Sequence, residues 1–143
     1  MNTTTLAPET VHPSWTVAGN LLDALTRRDF VALAGCLAPD ILFRALVPPG
    51  PFDLDTAADV TAKFEGWFGG EDEFELVDAT AGQIGTRLAL RWRVRMWPAG
   101  DEAAARVVEQ HVYATGTDRV ESMDLLCSGF HAEHAAPAVC SLP

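Results

Sequence analysis

The segment 86–97, TRLALRWRVRMW, alternates between large apolar side chains and mostly arginine side chains along most of its length. Because successive side chains of a β-strand point to opposite faces, this segment predicts a strand with one dry face and one charged face. The dry face must lie against other apolar elements, so we expect the arginines to face solvent or a partner subunit. The dry positions are Leu88, Leu90, Trp92, Val94 and Met96, and the opposite positions include Arg87, Arg91, Arg93 and Arg95.

Three helices are predicted before this strand. Apolar residues at helical spacing follow Ser14 and Asp29, which are good N-capping residues, and Pro39 ends the second of these two helices after Leu37. A third helix begins at Asp55 or Thr56, and Gly69 and Gly70 end it.

The rest of the chain is strand-like. The predicted strands cover residues 41–47, 73–81, 86–97, 106–115 and 120–130, and the prolines and glycine of 48–51 form a loop. Helices followed by consecutive strands indicate an α+β fold, in which the helices pack on one face of a curved, mostly antiparallel sheet. We expect one domain over residues 13–131, with flexible tails at 1–12 and 132–143.

Charge and composition exclude several classes of function. The chain has 10 basic and 20 acidic residues, so its net charge of −10 repels nucleic acid. It shows neither a basic, apolar leader nor a long apolar stretch, which predicts a cytoplasmic protein that does not enter membranes. Its cysteines, Cys36, Cys127 and Cys140, are widely spaced, so we expect reduced thiols, no metal site and no cofactor.

Two stretches carry a family resemblance: LLDALTRRDFVALAGCLAPDILFRAL near the start and VVEQHVYATGTDRVESMDLLCSGF near the end. Together with the order of elements, they resemble the nuclear transport factor 2-like superfamily and its SnoaL-like polyketide cyclase branch, over residues 14–131. The resemblance implies a cystatin-like α+β barrel, a cone with a pocket for a small hydrophobic molecule between helices and sheet. It also implies a homodimer, for which we expect the outer sheet face to form the interface.

The resemblance suggests roles for a few residues. Ketosteroid isomerases place a carboxylate base in the first strand where this chain has Ala45, so that base is missing. SnoaL-like aldol cyclases use an acid on the last strand with polar help from its neighbour, for which Asp124 and Gln110 are the nearest matches. A gapless comparison puts Leu125 at the position of the acid, and a shift of one residue reverses the face. Asp124 therefore has two possible orientations, inward with a raised pKa or outward and solvated.

Other candidates follow from the strand patterns. If Glu109 lies beside the arginines, Gln110 turns inward, although the loop 98–105 is too long to fix that register. His111 is a candidate proton shuttle as well as a candidate structural residue. Large apolar and aromatic residues serve as core and as pocket wall. The expected substrate-binding residues are Trp15, Phe43, Trp67, Phe68, Trp92, Met96, Tyr113, Met123 and Cys127.

These observations predict a cofactor-independent cyclase or isomerase that closes a ring in a hydrophobic, polyketide-like intermediate of secondary metabolism. Two mechanisms stay open: aldol-type proton transfer by Asp124, Gln110 and His111, or folding of a reactive polyene with a hydrogen bond from Gln110, Tyr113 or Trp92. The alternatives are a non-catalytic small-molecule binding protein of the same fold and an enzyme like the epoxide hydrolases or dehydratases. An epoxide hydrolase needs two carboxylates and an arginine at one water, of which Asp124 with Arg91 or Arg93 supplies only part.

Overall fold

The computed structural model describes residues 13–133, with side chains from residue 16 onward. It contains three helices and a seven-stranded sheet, which confirms the predicted α+β class with a curved, mostly antiparallel sheet. The helices are α1 (Pro13–Arg27), α2 (Phe30–Gly35) and α3 (Ala57–Phe68). The strands are β1 (Leu37–Val47), β2 (Gly50–Leu54), β3 (Glu73–Ile84), β4 (Arg87–Trp97), β5 (Arg106–Thr115), β6 (Val120–Cys127) and β7 (His131–Ala132).

The order of strands brings the two ends of the domain together. The sheet runs β2-β1-β6-β5-β4-β3, and the short strand β7 pairs with the first two residues of β5. Neighbouring strands are antiparallel except β1 and β6, which are parallel. The first strand of the domain therefore lies beside the last long one, so residues about 80 positions apart become neighbours.

Local capping explains where the helices begin and end. The Asp29 carboxylate accepts a hydrogen bond from the Ala32 amide, and the Thr56 hydroxyl accepts one from the Asp59 amide. Arg28, which has a left-handed backbone (φ 52°), ends α1. Its guanidinium donates to the carbonyl oxygens of Phe68 and Asp72, at 3.2 and 3.0 Å, and so ties the end of α1 to the end of α3.

Several predicted boundaries are wrong, among them the end of β3, which lies at Ile84 rather than at residue 81. Leu37 begins β1 rather than ending α2, because it pairs with Val120 in the sheet, and the irregular register between Leu37 and Leu42 accommodates Pro39. Residues 50–54 form the edge strand β2, although residues 48–51 were predicted as a loop and no strand was predicted there; a proline without an N–H is tolerated in an edge strand. The last predicted strand ends at Cys127 instead of at residue 130.

The inner face of the sheet is covered by the helices and is apolar. On β4 the dry positions are buried while the arginines lie on the other face, as the alternation predicts. The core combines these residues with the inner faces of α1, α3, β1, β5 and β6. None of the described helices is long and apolar enough to span a membrane.

Candidate functional site

An aromatic cluster fills the space between α3 and the inner face of the sheet. At its centre the Phe64 ring contacts four other aromatic rings, with centroid distances between 5.3 and 6.5 Å. These rings belong to Phe43, Trp67, Phe68 and Trp92. Phe64 and Trp92 are fully buried, so the interior of the cone is occupied by side chains in this structure.

One polar side chain lies within this apolar interior. Gln110 on β5 is 0% exposed and is paired in register with Trp92 on β4 and Cys127 on β6. The Trp92 indole Nε1 donates to Gln110 Oε1 at 2.8 Å, and Gln110 Nε2 donates to Cys127 Sγ at 3.3 Å. The expected register of β5 is confirmed, since Gln110 turns inward and Glu109 lies beside Arg93.

The described interior contains no carboxylate and no imidazole. Among residues with described side chains, Gln110 is the sole buried polar or charged residue. Ala45, which stands where ketosteroid isomerases have a carboxylate, is buried and paired with Leu125. Proton transfer by a carboxylate or an imidazole inside the cone therefore has no side chain to carry it in this part of the chain.

Asp124 faces outward, which decides between its two possible orientations. Met123 and Leu125 on either side of it are buried, so alternation along β6 places its side chain on the outer face. There its carboxylate accepts a hydrogen bond from Arg44 Nε at 2.8 Å, and this bond raises the pKa of the Arg44 guanidinium. Any catalytic role of Asp124 would have to be exercised from outside the cone.

His111 also lies on the outer face, within a network of charges. Its Nε2 is 2.8 Å from Glu109 Oε2, while Arg93 donates to the other oxygen of the same carboxylate at 2.9 Å. The hydrogen bonds from His111 and Arg93 hold the pKa of the Glu109 carboxyl below its ordinary value. Arg91 contacts Asp78 in the same network. Networks of partly exposed ion pairs are typical of protein surfaces without a catalytic role.

The expected substrate-binding residues divide between the two faces. Phe43, Phe68, Trp92, Met96, Met123 and Cys127 are buried in the core. Tyr113 is on the outer face and about half exposed. Trp67 is half-buried, and the side chain of Trp15 lies outside the described residues.

The surface of the described part has several clefts, and three of them border residues named above. Two of them, of about 650 and 620 Å³, adjoin on the outer face and share Arg44, Asp53 and Asp124. The third, of about 470 Å³, lies along α3 and is lined by Trp67, whose ring also contacts Phe64 in the interior. The sequence did not indicate Arg44 or Asp53, because they become neighbours only through the pairing of β1 with the unpredicted β2.

The family assignment follows from the sequence match. The profile of the SnoaL-like domain matches residues 18–121, most of the chain. The chain belongs to the SnoaL-like domain family. No curated protein matches this SnoaL-like chain.

Solved structures share the fold of this SnoaL-like domain at low sequence identity. An LEH-like epoxide hydrolase of M. tuberculosis superposes with a TM-score of 0.62 at 13% identity, covering 81% of this chain and 83% of the other. A protein assigned as a polyketide cyclase from Xanthomonas campestris pv. campestris gives 0.63 at 15% identity, covering 80% and 89%. A protein assigned as an isomerase from Rhodopseudomonas palustris gives 0.58 at 17% identity, covering 82% and 90%. These similarities show the fold, and the fold hosts several chemistries.

Metal chemistry has no candidate centre in the described SnoaL-like domain. Within residues 13–133 there is no group of three or more His, Cys, Asp and Glu side chains placed to hold an ion. Cys36 is half-buried, and this burial raises the pKa of its thiol, so at neutral pH it is protonated and a poor ligand.

Proposed function

We propose that this SnoaL-like protein binds a hydrophobic, polyketide-like molecule inside its cone and promotes ring closure or isomerisation without an ionised catalytic group. The observation that carries this proposal is the buried amide of Gln110, a neutral hydrogen-bonding group within an aromatic wall. Pockets for such ligands are mostly apolar, with a small number of placed polar groups. Of the two mechanisms predicted from the sequence, this supports folding of the substrate over proton transfer by Asp124 or His111.

A chain of aromatic contacts supplies a route to that amide. The cleft on α3 is lined by Trp67, the Trp67 ring contacts Phe64, and Phe64 contacts Trp92, which is hydrogen-bonded to Gln110. Because the interior is filled, a ligand must displace some of these side chains to enter. Trp67 is half-buried and borders both regions, so it is the side chain that we expect to move first.

The chemistry requires only orientation and one hydrogen bond. Holding a flexible polyene in a reactive conformation contributes several kcal/mol to rate enhancement, and one placed donor adds roughly 2–4 kcal/mol. Neither term needs a metal or an organic cofactor, and none is part of the proposal. The proposed substrate class rests on the family resemblance. The proposed role in secondary metabolism rests on it too. A cytoplasmic location also stays a prediction.

The test uses a linear polyene that carries an unsaturated ketone and closes slowly by itself. We expect the wild-type protein to accelerate closure, and Gln110→Leu to lower the rate tenfold to a hundredfold while the probe still binds. His111→Gln, on the outer face, is the control and should leave the rate unchanged. Loss of rate in His111→Gln but not in Gln110→Leu would contradict the proposed site.

A second function is a non-catalytic small-molecule binding protein, which is favoured by the lack of a buried carboxylate or imidazole in the described interior. Binding of the polyene without any acceleration would select this function. The epoxide hydrolase alternative has matching residue types in the row Asp53, Arg44 and Asp124. In the single chain, however, the Arg44 side chain is 74% exposed, so this row of residues does not exclude bulk water.

We also propose a homodimer through the outer sheet face. This face carries exposed apolar side chains at Leu46, Tyr113 and Leu126, which continue into the adjoining clefts. Apolar residues grouped in this way are typical of interaction surfaces. Leu126→Glu should shift the protein from dimer to monomer in sedimentation experiments, whereas Glu65→Gln on α3 should not; a monomeric wild type would contradict the proposal.

A further inference from the structure

The orientation of the Gln110 amide is fixed by its neighbour. The two ends of a glutamine amide are ordinarily hard to tell apart, but an indole N–H can only donate a hydrogen bond. Trp92 Nε1 lies 2.8 Å from the amide, so the atom that it meets must be the acceptor, Oε1. The –NH₂ end is therefore turned the other way, toward Cys127.

The donor end of this amide is poorly satisfied. Its Nε2 carries two hydrogens, and one of them points to Cys127 Sγ at 3.3 Å, which is a weak acceptor. That sulfur also receives the Gly129 amide at 3.4 Å. The second hydrogen of Nε2 meets no acceptor within residues 16–133, although the side chain is fully buried. A buried donor without a partner is unfavourable and is satisfied when an acceptor arrives.

We infer that Trp92 is a positioning residue that holds Gln110 with its donor end available, so that the interior selects ligands with a carbonyl acceptor over ligands with a hydroxyl. The inference rests on the proposed binding of a hydrophobic ligand in the cone. A ketone oxygen accepts from Nε2 and has no proton of its own to satisfy. An alcohol that accepts the same bond buries its O–H against an apolar wall without an acceptor. The substrate class is thus a hydrophobic ketone or enone.

Three probes of similar shape test this selectivity for a carbonyl. 1-Tetralone has a carbonyl, 1-tetralol has a hydroxyl, and tetralin has neither. Calorimetry gives their affinities, and infrared spectroscopy gives the carbonyl stretching frequency of bound 1-tetralone. With the wild-type protein we expect the ketone to bind about tenfold more tightly than the alcohol, a difference of about 1.4 kcal/mol. The carbonyl frequency of the bound ketone should lie below its value in hexane, because the oxygen accepts a hydrogen bond.

The decisive variant is Trp92→Phe, which keeps an aromatic ring and removes the donor that holds Oε1. The amide is then free to rotate, so the ketone-to-alcohol ratio should fall toward one and the carbonyl frequency should move toward its value in hexane. Trp97→Phe is the matched control, because Trp97 lies on the same strand as Trp92 but on the face that carries the arginines, where its ring contacts Arg95, and it should preserve both readouts. A purely structural role of Trp92 would weaken all three probes alike and leave the ratio unchanged.

The outcomes distinguish a failure of this inference from a failure of the proposed function. If the probes bind but the wild type does not prefer the ketone, or if Trp92→Phe keeps both the ratio and the frequency, the inference is wrong and cone binding stands. If none of the probes binds the wild type, the proposed function fails and the inference fails with it. Gln110→Leu is the second variant: should Trp92→Phe not fold, loss of the ketone preference in Gln110→Leu supports the amide donor, and retention of the preference overturns it.

Discussion

The two faces of the sheet differ in the charge of the side chains that they carry. On β5, Gln110 points into an interior with no described charge, while its neighbours Glu109 and His111 point into a network with Arg93. The peptide bonds are shared, and only the direction of each side chain separates the two environments. Chemistry that depends on ionised groups thus belongs to the outer face, and chemistry that depends on shape belongs to the inner one.

The two faces also differ in their clefts. The outer face combines charged pairs with exposed leucines and two adjoining clefts, whereas the inner face is packed with aromatic rings around one amide. A dimer interface on the outer face and a ligand site on the inner face would use the same strands without competing. The following substitutions test the difference between the faces, beginning with the largest expected effect.

Phe64→Ala removes the ring that contacts four other aromatic residues in the interior. We expect the free energy of unfolding to fall by about 4 kcal/mol, because the buried ring is lost and a cavity remains. Urea denaturation measures the change. Tyr113→Ala on the outer face is the matched comparison and should cost less than about 1 kcal/mol; similar losses at both positions would show that the faces are not energetically distinct.

Ala45→Asp places a carboxylate on the inner face, where the structure offers it no charged partner in the described interior. We expect a loss of about 3 kcal/mol at pH 7. Burial raises the pKa of this carboxyl in the folded state, so the loss should shrink as the pH falls through that raised pKa toward about 4, the ordinary value.

Leu46→Asp is the control for that substitution, since residue 46 adjoins Ala45 on the same strand and points outward. It should change the free energy of unfolding of the monomer by about 0.5 kcal/mol or less, at either pH. Urea denaturation at pH 7 and pH 4.5 measures both variants, and a pH-independent loss in Ala45→Asp would contradict a buried, neutralised carboxyl.

Glu109→Gln has the smallest expected effect and concerns the outer network. The pKa of Glu109 is lowered in the folded protein by His111 and Arg93, so its stabilising contribution is complete above the ordinary pKa of 4.5 and is lost as the pH falls below it. Since the pair is partly exposed, we expect a loss of at most about 1 kcal/mol at pH 7. The difference between variant and wild type in urea denaturation should shrink as the pH falls below 4.5 toward the lowered pKa of Glu109; a difference that is the same at pH 7 and at pH 3 would exclude a charge effect.

Local patterns in the sequence determined much of this protein. Alternation over 86–97 fixed the two faces of β4, capping residues located α2 and α3, and the order of elements led to the correct fold class and family. Each of these features depends on residues a few positions apart, whose spacing is visible in one dimension. The inward turn of Gln110 was expected from charge pairing of Glu109 with the arginines, which is also a short-range argument.

The tertiary structure decided what depends on partners distant in sequence. Asp124 faces outward because β6 pairs with β1 in a register that sets Arg44 beside it, and a shift of one residue would have reversed that choice. The edge strand β2 forms because β1 offers it free hydrogen-bonding groups, despite prolines that locally predict a loop. The contact of Trp92 with Gln110 likewise needs the register of β4 on β5, which the loop between them does not encode locally. Strand register is set by pairing and packing across the whole sheet, so it is absent from any short segment of the sequence.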